Sequence, residues 1–231
     1  MLKAKTKLTS SPNEIIERAI QVRTGRSRLD GDLAVPPGAR GVVLVAHGTG
    51  SSRHSSRNRH VAAELQGAGY ATLLLDLLTS GEERLDSISA QIRFDIPLLG
   101  ERVVHAVEWV REQAETKRLP LGLFGASTGA AAAIVAAAER PREVTAIVSR
   151  GGRPDLAGSA LERVRAPTLL IVGGADEVVL DLNREALSKL RCTSALEIVP
   201  GATHLFEEEG ALERVSRLAR EWFGKWMLGG A

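Results

Sequence analysis

The sequence predicts an α/β protein, a mostly parallel sheet with helices on both faces. Three observations carry that prediction. Six apolar runs of strand length recur along the chain; each is apolar on both parities, as a strand covered on both faces requires; and segments of helical periodicity separate them, the βαβα order of a parallel sheet. The expected strands are residues 41–46 (GVVLVA), 71–75 (ATLLL), 119–124 (LPLGLF), 144–149 (VTAIVS), 168–172 (TLLIV) and 196–200 (LEIVP). Helical patterns occupy residues 60–68, 98–117, 127–139, 182–190 and 211–227. In the last of these Leu212, Val215, Ala219, Trp222 and Trp226 recur at three- and four-residue spacing, and Glu207, Glu208 and Glu209 precede them, where a helix dipole favours anions. Residues 17–22 and 29–35 fit an antiparallel edge pair, although residues 15–22 also satisfy a helix, and Pro36-Pro37-Gly38 turns the chain into the strand at Gly41. Between strand and helix no insertion is long enough for a separate lid domain, the segment 79–96 being the longest, so an open site is expected.

Composition bounds the function. With 231 residues and 44% hydrophobic content the chain can bury a full core, and residues 1–231 are expected to form one domain. Thirty basic against 28 acidic side chains leave a formal charge of +2, too even for a chain-wide nucleic-acid surface. Cys192 is the single cysteine, which excludes an internal disulfide and a thiolate metal cluster. No apolar run reaches the roughly 18–20 residues of a membrane span, and no signal-peptide core is present near the start. A cytoplasmic protein without membrane or nucleic-acid partners is expected; oligomeric state is not legible.

The sharpest chemical signal is Gly125-Ala126-Ser127-Thr128-Gly129. Gly-x-Ser-x-Gly arises by chance in chains of this length, so its context decides its meaning. Here an apolar strand leads in and an alanine-rich helix leads out, the strand-turn-helix setting of a nucleophile elbow. The competing reading is a glycine-rich turn in which Ser127 merely caps the helix. A serine hydroxyl needs a base to take its proton, and the base needs a third group to orient it. Asp176 follows the strand at 168–172 and His204 the strand at 196–200, so three residues at three strand ends stand in the order serine, acid, histidine. Asp155, after the strand at 144–149, is the alternative acid. His105 lies within a helical pattern, His54 and His60 follow the glycine loop, Glu177 reads as a solvated neighbour of Asp176, and Asp76 as a structural carboxylate bonding loop amides.

The stretch His47-Gly48-Thr49-Gly50, continuing as SSRHSSRNRH to residue 60, has the composition of a site. A dinucleotide fingerprint would need glycine where Arg53 stands. Three histidines at 47, 54 and 60 without cysteine or carboxylate help make a poor metal set. Placed before the first helix of an elbow-bearing fold, the loop instead supplies one backbone N–H to an oxyanion hole and the residue after the nucleophile the other, which points to Thr49 and Thr128. Glycines 48 and 50 would permit the close approach. Arg53, Arg57, Arg59, Arg150 and Arg153 either staple loops by pairing with Asp76, Asp95 or Asp155, or hold a carboxylate or phosphate.

These stretches together resemble the dienelactone-hydrolase-like superfamily of α/β-hydrolases, and within it a small bacterial group sharing LDGDLAVPPGARGVVLVAHGTGSSRHSSRNRHVA, LLLDLLT, GLFGASTGAAAA, VSRGGRPDLAG, LLIVGGAD and VPGATHLFEE, spread over residues 29–208. The resemblance implies an α/β-hydrolase fold with Ser127 as nucleophile, Asp176 as acid and His204 as base. In that group the domain also occurs joined to phosphoribosyltransferase domains, which makes such a protein a candidate partner; the present 231 residues show no second domain of that kind. Dienelactone hydrolases proper carry a cysteine nucleophile where this chain has Ser127, a departure that argues against a dienelactone substrate.

The expected activity is hydrolysis of small or short-chain carboxylic esters through an acyl-enzyme, without metal or organic cofactor. His54, Arg57, Leu78, Arg150 and Leu205 are the expected substrate contacts. Two other readings use the same residues: a thioesterase, peptidase or acyltransferase with this triad, and a binding module of a phosphoribosyltransferase-like system.

Overall fold

The structure, a computed structural model, describes residues 14–48 and 50–229. One eight-stranded sheet runs through it in the order β1-β2-β4-β3-β5-β6-β7-β8. Strands β1 (Ile16–Thr24) and β2 (Ser27–Val35) form the antiparallel edge, so the helical alternative for residues 15–22 is not realised. β2 pairs antiparallel with β4 (Tyr70–Leu75), and β3 (Gly41–Ala46), β4, β5 (Leu121–Ala126), β6 (Val144–Arg150), β7 (Thr168–Gly173) and β8 (Ser194–Val199) are mutually parallel.

The two-sided apolar pattern of the strands has a direct cause in the packing. In β3, Val42, Leu44 and Ala46 enter one core while Val43 and Val45 enter the other. The first core is closed by α3 (Ile96–Glu112) and α4 (Thr128–Glu139). The second is closed by α1 (Ser56–Gly67) and α7 (Ala211–Met227). Among the described residues no helix is long and apolar enough to cross a membrane.

Several boundaries differ from the sequence expectation, each for a local physical reason. α1 begins four residues early, because the Ser55 hydroxyl accepts the Asn58 N–H as an N-cap; Arg57, Asn58, Arg59 and His60 therefore lie on a helix and not in a loop. β5 runs to Ala126 and so delivers the chain directly to Ser127. α3 stops at Glu112, short of the expected 117, and Thr116 turns back to donate its hydroxyl to the Val110 carbonyl at 2.7 Å. α6 (Glu177–Lys189) starts immediately after Asp176. In α7 the buried line is Val215, Ala219, Phe223 and Met227, with Trp222 and Trp226 flanking it as a tilted pair 5.8 Å apart. Nor do the three glutamates enter its first turn: Glu208 accepts from the Thr203 N–H and hydroxyl, at 3.0 and 2.6 Å, and Glu207 pairs with Arg57.

The segment 79–96, without a helix in the sequence reading, forms α2 (Ser80–Ser89) and a 3-10 turn at Ile92–Phe94. Its apolar residues Leu85, Ile88 and Phe94 are exposed, so no buried stripe marked it. Polar anchors hold it instead. Thr79 and Glu82 make a capping box, Arg102 of α3 donates to Glu82 at 2.6 Å, and Asp86 accepts both the N–H and the Nε of Arg93. A short helix, α5 (Ala160–Arg163), follows a second 3-10 turn at Pro154–Ala157.

At the end of β3 the buried His47 ties two loops together. Its Nε2 accepts the Leu77 N–H at 3.0 Å, so the ring proton sits on Nδ1, which donates to the Gly48 carbonyl at 2.9 Å. Asp76 Oδ1 lies 3.7 Å from the same Nε2, but an imidazolium there would lose the Leu77 bond, and the neutral ring is the consistent species. Burial is the largest cause holding the His47 pKa below the ordinary histidine value, against the Gly48 carbonyl and Asp76, which act to raise it. A depressed folded-state value means that the unfolded chain takes up this proton first. The stabilisation is complete above about pH 6.5 and is lost as pH falls towards the folded value. Replacing His47 by Gln should therefore flatten the decline of stability below about pH 6.5, by up to about 1.4 kcal/mol per pH unit, in denaturant titrations of both proteins. Parallel pH profiles would contradict the neutral, buried assignment.

Candidate active site

Ser127 sits where β5 breaks into α4, with φ 50° and ψ −124°. A side chain at positive φ is strained by about 1–3 kcal/mol, and such strain persists where the surroundings enforce it. They do here: the Ser127 carbonyl accepts from Ala130 and Arg153 at 3.1 and 3.0 Å, and its N–H donates to Arg150 at 3.4 Å. The hydroxyl makes no capping bond to α4, which removes the helix-cap reading. Close backbone approach sets the elbow. A Cβ on Gly129 would lie 2.3 Å from the Ala46 carbonyl oxygen, and one on Gly48 would lie 2.5 Å from Ser127 Cβ. Gly50, expected to serve the same approach, has open space around it and instead adopts φ 63°.

Asp176 and His204 come together across the ends of β7 and β8. Backbone bonds clamp the two loops, Gly174 N–H to Val199 and Ala175 N–H to Ala202, at 2.8 and 2.9 Å. The Asp176 carboxylate does not cap α6; it accepts from His204 Nδ1 at 2.7 Å. With its Nδ1 proton so held, the ring presents Nε2 as a bare acceptor. Asp155, the alternative acid, is taken up by Arg153 through two bonds of 2.9 and 2.7 Å.

Ser127 and His204 line one cleft of about 330 Å³, with Arg57, Phe94, Val179 and Leu205 around them. A neighbouring, more apolar cavity of about 240 Å³ is lined by His47, Leu77, Leu78 and Leu99. Gly48, Ser51 and Thr128 line both. The structure thus brings Ser127, Asp176, His204, Thr128, Arg57, Arg150 and Leu205 to one place, with Leu78 in the adjoining cavity. Thr49, the other expected oxyanion donor, lies outside the described residues. His54 lines neither cleft: it is exposed, with Nδ1 3.0 Å from the Arg59 guanidinium. The expectation that it contacts substrate is corrected by that outward position. Phe94 and Val179 were not anticipated. The first is the exposed aromatic of the segment 79–96; the second stands one turn after Asp176 on a helix whose start was placed five residues too late.

The arginines divide. Arg53 bonds Asp76 through backbone and side chain and reaches Asp32, Arg59 pairs with Asp32 at 3.4 Å, and Arg153 with Asp155. These staple loops. Asp95, expected among the pairing acids, instead caps α3 by accepting the Leu98 N–H. Arg150 differs from them all: 8% exposed, it donates Nη2 to the Asn58 amide oxygen at 3.3 Å and leaves Nη1 without a partner. Burial, and then the neighbouring Arg57, push its pKa down to about 10, which still leaves it charged at neutral pH. Among the described residues no three histidine, cysteine, aspartate or glutamate side chains converge as a metal set.

Comparison with known proteins bears on the family and the fold. The crystal structure of a dienelactone hydrolase from Anabaena variabilis superposes with a TM-score of 0.90 at 55% identity, over 92% of this chain and 99% of that one. Est1E from Butyrivibrio proteoclasticus gives a TM-score of 0.74 at 15% identity over 90% of this chain and 98% of its own, a likeness of fold. Two Mycobacterium tuberculosis proteins, from strains CDC 1551 / Oshkosh and H37Rv and each named "Putative phosphoribosyl transferase", are 55% identical over 207 residues, 90% of this chain. The chain spans 46% of their length. Residues 29–224 match the dienelactone hydrolase family, and the chain belongs to that family of α/β hydrolases.

Proposed function

We propose that the protein is a serine hydrolase that cleaves small or short-chain carboxylic esters through an acyl-enzyme. The observation that carries this reading is the 2.7 Å bond between Asp176 and His204 Nδ1, in a cleft that His204 shares with the strained Ser127. In the first half-reaction His204 Nε2 takes the Ser127 proton as Oγ attacks the ester carbonyl. The tetrahedral intermediate collapses, its C–O bond breaks, and His204 returns the proton to the departing alcohol. Water then repeats the attack on the acyl-enzyme, with His204 again as base, and releases the carboxylic acid. Asp176 holds the imidazole in the required tautomer and stabilises its cationic form. The backbone amides of Thr49 and Thr128 serve as oxyanion donors, a role supported by the contact between Gly48 and the elbow. We assign the 240 Å³ cavity, with Leu78, to the acyl chain, and the outer cleft, with Leu205, to the alcohol side. The scheme calls for no metal or cofactor, and the single cysteine fits a reducing, cytoplasmic setting.

A second reading has one specific support. The relatives named for a phosphoribosyl transferase are about twice as long as the region they share with this chain, so the domain fits work beside such a protein as a partner. Labelling of Ser127 by a fluorophosphonate separates the readings: a module relieved of catalysis would leave the serine unlabelled in folded protein. Thioesters, amides or other acyl acceptors would use the same residues and are distinguished by comparing those substrates directly.

Ser127→Ala should lower kcat/KM on a short p-nitrophenyl ester by about 1,000-fold or more with the fold intact by circular dichroism. Activity near the wild-type rate would remove Ser127 from the chemistry. Ser127→Gly should be equally inactive, yet as stable as the wild type or more so by about 1 kcal/mol in denaturant unfolding, because glycine tolerates the positive φ. A marked loss of stability in the glycine variant would show that the elbow is unstrained.

A further inference from the structure

Resting on the ester-hydrolase reading, we propose that Arg150 and Arg57 form a subsite for a phosphate monoester, so that the substrates are esters of small phosphorylated molecules. Arg150 is the last residue of β6 and pairs in register with Ala126, the residue before the nucleophile. Its backbone is therefore set by the sheet beside the elbow, and the residue lines the same cleft as Ser127. It is buried, charged at neutral pH and, among the described residues, joined to no carboxylate; its one side-chain partner is the neutral Asn58 amide. A buried cation without a counter-charge is unfavourable, and folds otherwise pair or neutralise it. The neighbouring arginines show that pairing, Arg53 with Asp76, Arg59 with Asp32 and Arg153 with Asp155.

Arg57 enters the same cleft from α1. Its Nη1 bonds Glu207 at 3.0 Å, a side chain 64% exposed, and its Nε is buried without a partner. Two guanidiniums thus line one volume from different elements and repel each other, and among the described residues only Arg57 has a carboxylate partner, the solvent-screened Glu207. One guanidinium serves a planar carboxylate with its own two-pronged fork. Two arriving from different directions suit a tetrahedral group with three terminal oxygens and a charge near −2, which is a phosphate monoester at neutral pH. Binding exchanges the weak Glu207 pair for charge-assisted bonds to both arginines and supplies the counter-charge that Arg150 lacks. The phosphate remains intact; the bond that breaks is the carboxylic ester held at Ser127.

The test compares three acetate esters that share an acetoxyethyl core: 2-hydroxyethyl acetate, 2-acetoxyethyl phosphate and 3-acetoxypropionate. The phosphorylated ester should show kcat/KM about 30-fold or more above the neutral one, mainly through KM. That ratio, taken within each variant so that general losses cancel, should fall to about threefold or less in Arg150→Gln and in Arg57→Gln. The second substitution lies on the surface of α1 and keeps the test alive if the first fails to fold. In the Ser127→Ala protein, inorganic phosphate should raise Tm by about 3 °C relative to chloride at equal ionic strength, and the rise should vanish when Arg57→Gln is added. Equal efficiency on all three esters, or preference for acetoxypropionate, overturns the proposal while leaving the hydrolase reading intact. If the wild type turns over none of them, the hydrolase reading fails on its own and the phosphate-dependent Tm rise decides: its presence supports the subsite, its absence ends it.

Discussion

The backbone of Gly129 rests against the carbonyls of Ala46 and His47, a contact that any side chain at 129 would block, since its Cβ would stand 2.3 and 2.5 Å from those oxygens. That approach brings the start of α4 down onto the end of β3. It forces the turn at Ser127 into a positive φ, and it brings Gly48 against Ser127 Cβ, so the loop after β3 and the elbow share one wall. His47 completes the constraint by tying the same loop to Leu77 after β4. The shared edge of both clefts at Gly48 and Thr128 and the position of the candidate nucleophile follow from how closely these two backbones pack.

Much of this was legible in the chain because the determinants are local or periodic. Strands buried on both faces had to be apolar on both parities, and β3, β6 and β7 appear within a residue of their expected bounds. Ser127, Asp176 and His204 could be singled out as candidates because each follows a strand, Ser127 directly and the other two through glycine-containing turns, so topology carries them to one edge of the sheet. What escaped depends on polar contacts, some local and some between distant residues, with no apolar period to mark them. α2 has no buried apolar stripe, and its anchor is Arg102 on α3, twenty residues from Glu82. The start of α1 turned on one serine cap, and with it the placing of Arg57 and His60 on a helix. No pattern at residues 53–59 distinguishes Arg53 and Arg59, which pair away from the cleft, from Arg57, which lines it.

Charge around the site is arranged in two classes. Arg53, Arg59, Arg93, Arg102 and Arg153 each meet an acid and serve to hold a loop or helix in position. Such pairs at partly exposed positions contribute little each, and their worth here is geometric. Arg150 belongs to the other class. Its charge is retained beside the candidate nucleophile although, among the described residues, its one side-chain partner is an amide, which makes it a poor element of stability.

Helix α2 is fastened to the body by the Glu82–Arg102 pair and to the 3-10 turn after it by Asp86 and Arg93, and the segment leaves Leu85 and Ile88 outside the two main cores. The wall that Asp86, Ser87 and Arg93 give to the apolar cavity is thus energetically separable from the sheet beneath it. A lineage can rewrite the length and sequence of this wall, retaining only the few ionic attachment points, without repacking a single core strand. The protein therefore has a scaffold under strict volume constraint and a rim that is free to diverge, and changes in the shape of the cavity can accumulate in the second while the first stands still.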